Sequence, residues 1–167
     1  MKLYKNFLKS NDYVLLSELL QDKFFPWYFY NTSIDNGEYD NDFMFVHTVF
    51  EKEVGINSPQ FFNFIPLMNN ISAQIGVKHT ELLRIKANMY TNQGKKIIHE
   101  KHTDYPKINN YTTAVYNLTS CNGGTQFNEN FIPSEANSLL VFDGNTPHSG
   151  VTQSDTDIRL LVNFDFK

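Results

Sequence analysis

The sequence predicts a mainly β protein whose helices lie in its N-terminal half. Three observations carry this. The chain holds 15 Phe and 9 Tyr in 167 residues, and aromatic side chains suit the half-buried face of a sheet. In the second half, apolar residues recur with period two in several segments, as in strands. The connections between these segments are too short for the helical crossovers of a parallel sheet. About eight short strands joined in this way form an antiparallel double-sheet barrel, the jelly-roll arrangement. Two helical segments precede most of them.

The chain is long enough to bury one core, and no linker or repeat divides residues 1–167. A net charge of −4 without a basic patch gives no support for nucleic-acid binding. The single Cys121 excludes an internal disulfide and fits a reducing compartment. The first twenty residues interrupt their apolar positions with charges, unlike a signal peptide. No apolar run is long enough for a bilayer, and no heptad pattern specifies an oligomer. The expectation is a cytoplasmic protein, monomeric by default and without a membrane partner.

The elements follow in order. Residues 1–10 read as a short strand or entry segment. Residues 11–21 read as a helix capped by Asn11 or Asp12, with Leu15, Leu16, Leu19 and Leu20 on its apolar face. A strand is expected over 24–30, a loop over 31–42 and a strand over 43–50. Asn31-Thr32-Ser33 matches a glycosylation triplet, but nothing else suggests secretion. His47 reads as a structural or surface residue. Residues 58–76 read as a helix, with Ser58 as cap and Pro59 in its first turn. Phe61, Phe62, Ile65, Met68, Ile71 and Ile75 form its stripe, and Pro66 is expected to distort or split it. From Glu81 the period changes to two. Leu83, Ile85, Ala87 and Met89 face one way, and Arg84, Lys86, Asn88 and Tyr90 the other. That second face is either solvated or lines a pocket, with Tyr90 and Asn88 the stronger pocket candidates. Further strands are expected over 111–119, after the Gly-rich turn "SCNGGTQF", over 138–143 and over 157–166.

The chemistry concentrates in "IIHEKHTDYPKI". In an extended segment alternate side chains share a face, so His102 and Asp104 stand together with Thr103 turned away. His148, in "LLVFDGNTPHSGV", is the natural third ligand for a divalent metal. Two imidazoles and a carboxylate on one side of an iron leave the opposite positions open. A closed structural zinc site would want four ligands, commonly thiolates; zinc with an open position remains an alternative. His99 lies three residues before His102, but "HEKH" is one residue short of HExxH, so His99 reads as a neighbour of the site or a surface residue. His79 has no readable role. Arg159 falls on the inner face of an apolar strand with Leu161 and Asn163, where a guanidinium needs a carboxylate. No acidic residue is read on that inner face, so a small dicarboxylate would supply the partner, clamped bidentately. Tyr116, read as inward, could donate to the same carboxylate. The plainer alternative pairs Arg159 with Asp143 or Asp157.

Together "HTD", "PHSG" and Arg159 resemble the iron(II)- and 2-oxoglutarate-dependent oxygenases. The likeness is nearest to the prolyl 4-hydroxylase-like branch, including short versions from marine phages and bacteria. It covers residues 82–167 well and the first 80 loosely. It implies a double-stranded β-helix of cupin-like form. By this resemblance His102, Asp104 and His148 bind iron(II), and Arg159 and Tyr116 hold the distal carboxylate of 2-oxoglutarate. Tyr90 then faces cosubstrate or iron, with Asn88 beside it. The loop between Tyr90 and His102 is about two residues longer than usual in the family. "GGTQF" lacks the usual residues after its glycines, which places Gln126 near the cosubstrate. The implied reaction consumes O2 and 2-oxoglutarate, releases succinate and CO2, and hydroxylates an unactivated C–H bond. Ascorbate is an optional auxiliary. Peptidyl proline is the nearest substrate by resemblance; another peptide or protein, or a small molecule, is also open. The rival readings are a non-catalytic jelly-roll binding module and a cupin-type metal enzyme that does not use 2-oxoglutarate.

Overall fold

A computed structural model describes residues 1–31 and 43–167. In chain order the elements are β1 (Lys2–Lys5), α1 (Ser10–Gln21), β2 (Tyr28–Asn31), β3 (Phe43–Glu51), β4 (Gly55–Ile56) and α2 (Phe61–Ile75). A 3₁₀ turn, His79–Glu81, leads into β5 (Leu82–Thr91). Then follow β6 (Thr112–Asn117), β7 (Cys121–Phe127), β8 (Asn130–Ser134), β9 (Ser138–Asp143), β10 (Ser149–Val151) and β11 (Ile158–Phe166). The larger sheet runs β1-β9-β6-β11-β5-β3-β2, with β4 on β3; the smaller runs β10-β7-β8. Every strand pair among the described residues is antiparallel. The chain passes from one sheet to the other and back, which is the double-stranded β-helix, or jelly roll. Isolated bridges pair Ile98 with Val151 and His102 with His148, adding the segment around 98–102 to the edge of the smaller sheet.

The alternation along β5 and β11 separates two environments. Ile85 and Ala87 on β5 join Leu160, Val162 and Phe164 on β11 under the helices, against Leu16 and Leu20 of α1 and Phe64, Leu67 and Ile71 of α2. The opposite face pairs Arg159 with Tyr90, Leu161 with Asn88, Asn163 with Lys86 and Asp165 with Arg84. This second row faces the smaller sheet and holds the polar residues. A helical layer is required on the first face because an apolar sheet surface must be covered.

Several expectations change in detail. The cap of α1 is Lys9, with no side-chain hydrogen bond, and Leu15 is exposed. Only Tyr28–Asn31 of the aromatic run is strand, and it forms an edge; Phe25 enters the core while Phe24 stays in solvent. The loop expected over 31–42 lies, apart from Asn31, outside the described residues, as do two residues of the glycosylation triplet. Helix α2 starts at Phe61, after a turn in which the Ser58 hydroxyl accepts the Gln60 amide. Pro66 does not split it. Proline removes only the bond to the carbonyl four residues back, here that of Phe62, an exposed residue that solvent reaches. Phe64 and Leu67, not Phe62, centre the buried stripe. The two glycines of "SCNGGTQF" lie within β7 rather than in a turn. A Cβ on Gly124 would meet the Ile132 carbonyl and the Phe131 ring, so β8 packs where only glycine fits.

Replacing Phe64 by Ala should destabilise the fold by about 3–5 kcal/mol, from lost burial plus a cavity. Leu15→Ala should change it by less than about 0.5 kcal/mol. Urea denaturation of the two variants checks the contrast.

Candidate metal centre

His102 and His148 are placed by backbone. Each amide donates to the other's carbonyl, at 2.9 and 3.0 Å, across the bridge between their segments. A narrow pair of this kind brings the two side chains to one face, and the rings lie 4.9 Å apart. Asp104 follows two residues on. Ligand atoms of His102, Asp104 and His148 all lie within 4.8 Å of one another, and His148 Nε2 is 3.6 Å from Asp104 Oδ2. His102 is exposed toward the cavity, whereas Phe127 and Phe142 enclose the buried His148.

The hydrogen bonds fix which atoms are free. His102 Nδ1 lies 3.0 Å from the Glu100 carbonyl, and His148 Nδ1 3.0 Å from the Thr146 carbonyl. A carbonyl only accepts, so both Nδ1 atoms carry hydrogen and both Nε2 atoms keep their lone pairs for a metal. Asp104 Oδ1 accepts from Arg84, while its buried Oδ2 has no hydrogen-bond partner. A buried carboxylate oxygen without a donor is costly, and a cation at this position satisfies it. Two imidazoles and a carboxylate, with no thiolate, fit iron(II).

Arg84 secures the carboxylate. Its guanidinium bridges Asp104 and Asp165, the latter at 2.9 Å. Asp165 is fully buried and also accepts from the Thr113 hydroxyl at 2.8 Å. Burial alone would lower the Arg84 pKa, but the charges of Asp165 and Asp104 outweigh it and hold it above the ordinary arginine value. Burial pushes the Asp104 carboxyl up, and Arg84 and His148 together reverse this, so it stays ionised below the ordinary carboxylate range. Burial likewise lowers the His148 pKa, favouring the neutral imidazole that a metal requires.

A cavity of about 490 Å³ opens beside the triad, lined among others by Tyr30, Lys86, Asn88, Tyr90, His99 and Asn163. Asn88 and Asn163 each carry a buried carboxamide oxygen without a hydrogen-bond partner. Burial, and then Arg84, lowers the Lys86 ammonium to a pKa of about 8. His99 packs edge-on against Tyr90 and is not part of the metal-ligand group.

Arg159 turns inward, only 1% exposed. One terminal nitrogen donates to the Val151 carbonyl at 3.1 Å, Nε has no partner, and the guanidinium lies 5.2 Å from the centre of the Tyr90 ring. It does not itself line the cavity; Tyr90 does. Among the described residues no carboxylate pairs with it, so the alternative partners Asp143 and Asp157 are not used. An acidic residue does share its face: Asp165 ends the same row. Six residues away, about 20 Å along a strand, it belongs to Arg84.

Two expected cosubstrate contacts are not brought together with the others. Tyr116 lies opposite Val162, on the helix-covered face, with its ring against Phe7 and its hydroxyl donating to Asn137. The inward residue of that strand is its neighbour Asn117, bonded to Ser138 and Ser134. Gln126 points outward and donates to the Asn128 carbonyl, while Thr125 and Phe127 are buried on either side. In both cases a strand period of two makes a one-residue displacement a change of face.

No protein-family model matches the sequence, and no curated protein does either. Solved structures do match in fold. An oxidoreductase of the 2OG-Fe(II) oxygenase family from Burkholderia pseudomallei superposes with a TM-score of 0.66 at 13% identity, over 97% of this chain and 82% of that one. A Pseudomonas putida prolyl-4-hydroxylase gives 0.64 at 14% identity, over 99% and 91%. The alpha ketoglutarate dependent epimerase SnoN of nogalamycin biosynthesis gives 0.65 at 10% identity, over 99% and 76%. The chain therefore shares the double-stranded β-helix of these oxygenases. That one fold carries both a hydroxylase and an epimerase shows that fold alone does not select the reaction.

Asp104→Ala should abolish stoichiometric binding of iron(II), measured by dialysis and metal analysis; unchanged stoichiometry would remove Asp104 from the ligand set. Arg84→Met should weaken binding about 10–100-fold, because it frees the carboxylate it orients. Protons compete for the imidazoles, whereas Asp104 stays ionised. Affinity should therefore fall by about tenfold or more between pH 7.5 and pH 5, as read with a competing chelator.

Proposed function

We propose that this protein is an iron(II)- and 2-oxoglutarate-dependent oxygenase that hydroxylates an unactivated C–H bond. The observation that carries the reading is the triad of Nε2, Nε2 and an unpartnered carboxylate oxygen, gathered within 4.8 Å beside a cavity that His102 and Asp104 line. A second observation supports the cosubstrate. Arg159 is a buried guanidinium with no carboxylate of its own among the described residues. A dicarboxylate reaching the Tyr90–Arg159 end of the polar row would supply one.

When bound, iron(II) with 2-oxoglutarate and O2 supplies the oxidising chemistry and releases succinate and CO2. The chain's residues do the rest. Arg84 keeps Asp104 ionised and aimed. The carbonyls of Glu100 and Thr146 keep the imidazole tautomers that present Nε2. Arg159 fixes the distal carboxylate, with Tyr90 alongside. Phe127 and Phe142 shield the His148 side from water, where charge interactions are stronger. A non-catalytic jelly-roll binding module accounts for the two sheets but not for the orphaned carboxylate oxygen beside two aligned imidazoles.

Peptidyl proline is the first substrate class to screen, on the strength of the sequence resemblance and of the fold shared with the Pseudomonas putida enzyme. The screen reads a gain of one oxygen mass coupled to succinate release. Independently of substrate, slow iron-dependent succinate release from 2-oxoglutarate is expected. Arg159→Ala should raise the 2-oxoglutarate concentration for half-maximal release at least about tenfold, the loss of a charged hydrogen bond. Its iron requirement should be little changed. Equal loss of both would make Arg159 structural.

A further inference from the structure

Lys86 is not used by this chemistry, yet it stands on the floor of the same cavity. It lies between Arg84 and Asn88 on the inward face of β5, opposite Asn163 on β11. Its ammonium lies 5.2 Å from the centre of the Tyr30 ring, at the cavity wall. A cation–π contact attracts the charge but satisfies none of its three N–H donors with a lone-pair acceptor. No carboxylate pairs with Lys86 among the described residues. The nearest claimants are taken: Asp104 and Asp165 are bridged by Arg84, and Glu51 accepts from the Tyr105 hydroxyl.

Formal charge points the same way. Iron(II) and the 2-oxoglutarate dianion would cancel one another. Asp104 and Asp165 match Arg84 and Arg159. Lys86, half-buried, is then the cation of the cavity floor without an ion pair, since Glu51, the other carboxylate near it, accepts from Tyr105, and a partly desolvated charge favours a counter-charge. The carboxamide oxygens of Asn88 and Asn163 add an unmet demand for N–H donors on either side of it. A side-chain carboxylate near an N–H, as in an acidic amino acid or an acidic peptide residue, answers both demands.

We propose that Lys86, flanked by Asn88 and Asn163, forms a carboxylate subsite for the substrate, so that the substrate is an acidic amino acid or a peptide with an acidic residue at the reacting position or next to it. This inference rests on the oxygenase reading for the charge of the occupied site. It goes beyond that reading in assigning the substrate's chemistry and a residue that selects it. Arg159 and Lys86 then divide two carboxylates between them: one for the cosubstrate and one for the substrate.

The test is calorimetric, on protein loaded with zinc(II) and saturated with 2-oxoglutarate, so that turnover plays no part. The probes are L-glutamate against L-glutamine, and the blocked dipeptide Ac-Pro-Glu-NH2 against Ac-Pro-Gln-NH2. In at least one pair the acid should bind tenfold or more tightly than its amide, and the pair identifies whether the source is free or peptidyl. Lys86→Met should erase that preference, Lys86→Arg should retain it, and both should bind 2-oxoglutarate within twofold of the parent. The proposal is overturned if acids and amides are indistinguishable, including if none binds, or if Lys86→Met keeps the preference. It is also overturned if Lys86→Met loses 2-oxoglutarate, which would make Lys86 a cosubstrate residue. Failure of the oxygenase reading looks different: the parent protein would then not bind 2-oxoglutarate in the control titration.

Discussion

The arginine at position 84 ties the metal loop to the barrel, and the site depends on that tie. Its two carboxylate partners come from different parts of the chain. Asp165 is its register partner on β11, fully buried, while Asp104 lies beyond the strands in the connecting segment. The ion pair thus converts the rigid β5–β11 pairing into a fixed position for the Asp104 carboxylate on its loop. Removing one partner of such a buried network leaves an uncompensated charge, at a cost of about 3–5 kcal/mol. The two histidines of the candidate triad are positioned by backbone hydrogen bonds between their own segments. The centre is therefore held by one salt-bridged carboxylate and one β-bridge.

The same alternation that builds the core builds the cavity. Along β5, one set of side chains is sealed beneath α1 and α2, and the interleaved set is presented to the smaller sheet. Arginine, lysine, asparagine and tyrosine on that second face are stable only because the cavity lies over them and because Asp104 and Asp165 offset part of their charge. Gly150 contributes by absence: a Cβ there would meet the Tyr90 hydroxyl at 2.8 Å, so the chain after His148 packs against the tyrosine without displacing it.

Much of this was legible in the sequence. The period-two segments of the second half, the inward turn of Arg159 and the pairing of His102 with Asp104 follow from local pattern, and the structure brings His148 to them. The missed features have physical reasons. Tyr116 reads as inward, and the family resemblance places it at the cosubstrate, but its face is set by the register of β6 on β11, which a sequence does not display. Arg84 reads from the sequence only as a weaker pocket candidate than Tyr90 and Asn88, because its partners lie 20 and 81 residues away. Its strand parity already placed it with Tyr90, and the parity of the last strand placed Asp165 with Arg159, so the signal was present. Helix α2 runs through Pro66 because tertiary burial of Phe64, Leu67 and Ile71 outweighs the loss of one exposed hydrogen bond. The strand expected after "SCNGGTQF" is β8, whereas the paired glycines read as a turn and so conceal β7 itself.

Convergence of His102, Asp104 and His148 on a single ion is the claim beneath everything else. An anaerobic titration of the protein with iron(II), followed by 2-oxoglutarate, addresses it most directly. One equivalent of iron should bind, and a weak visible charge-transfer band should appear on adding 2-oxoglutarate, absent from a His148→Ala protein. Iron binding without such a band, or a band unchanged in the variant, would contradict the account.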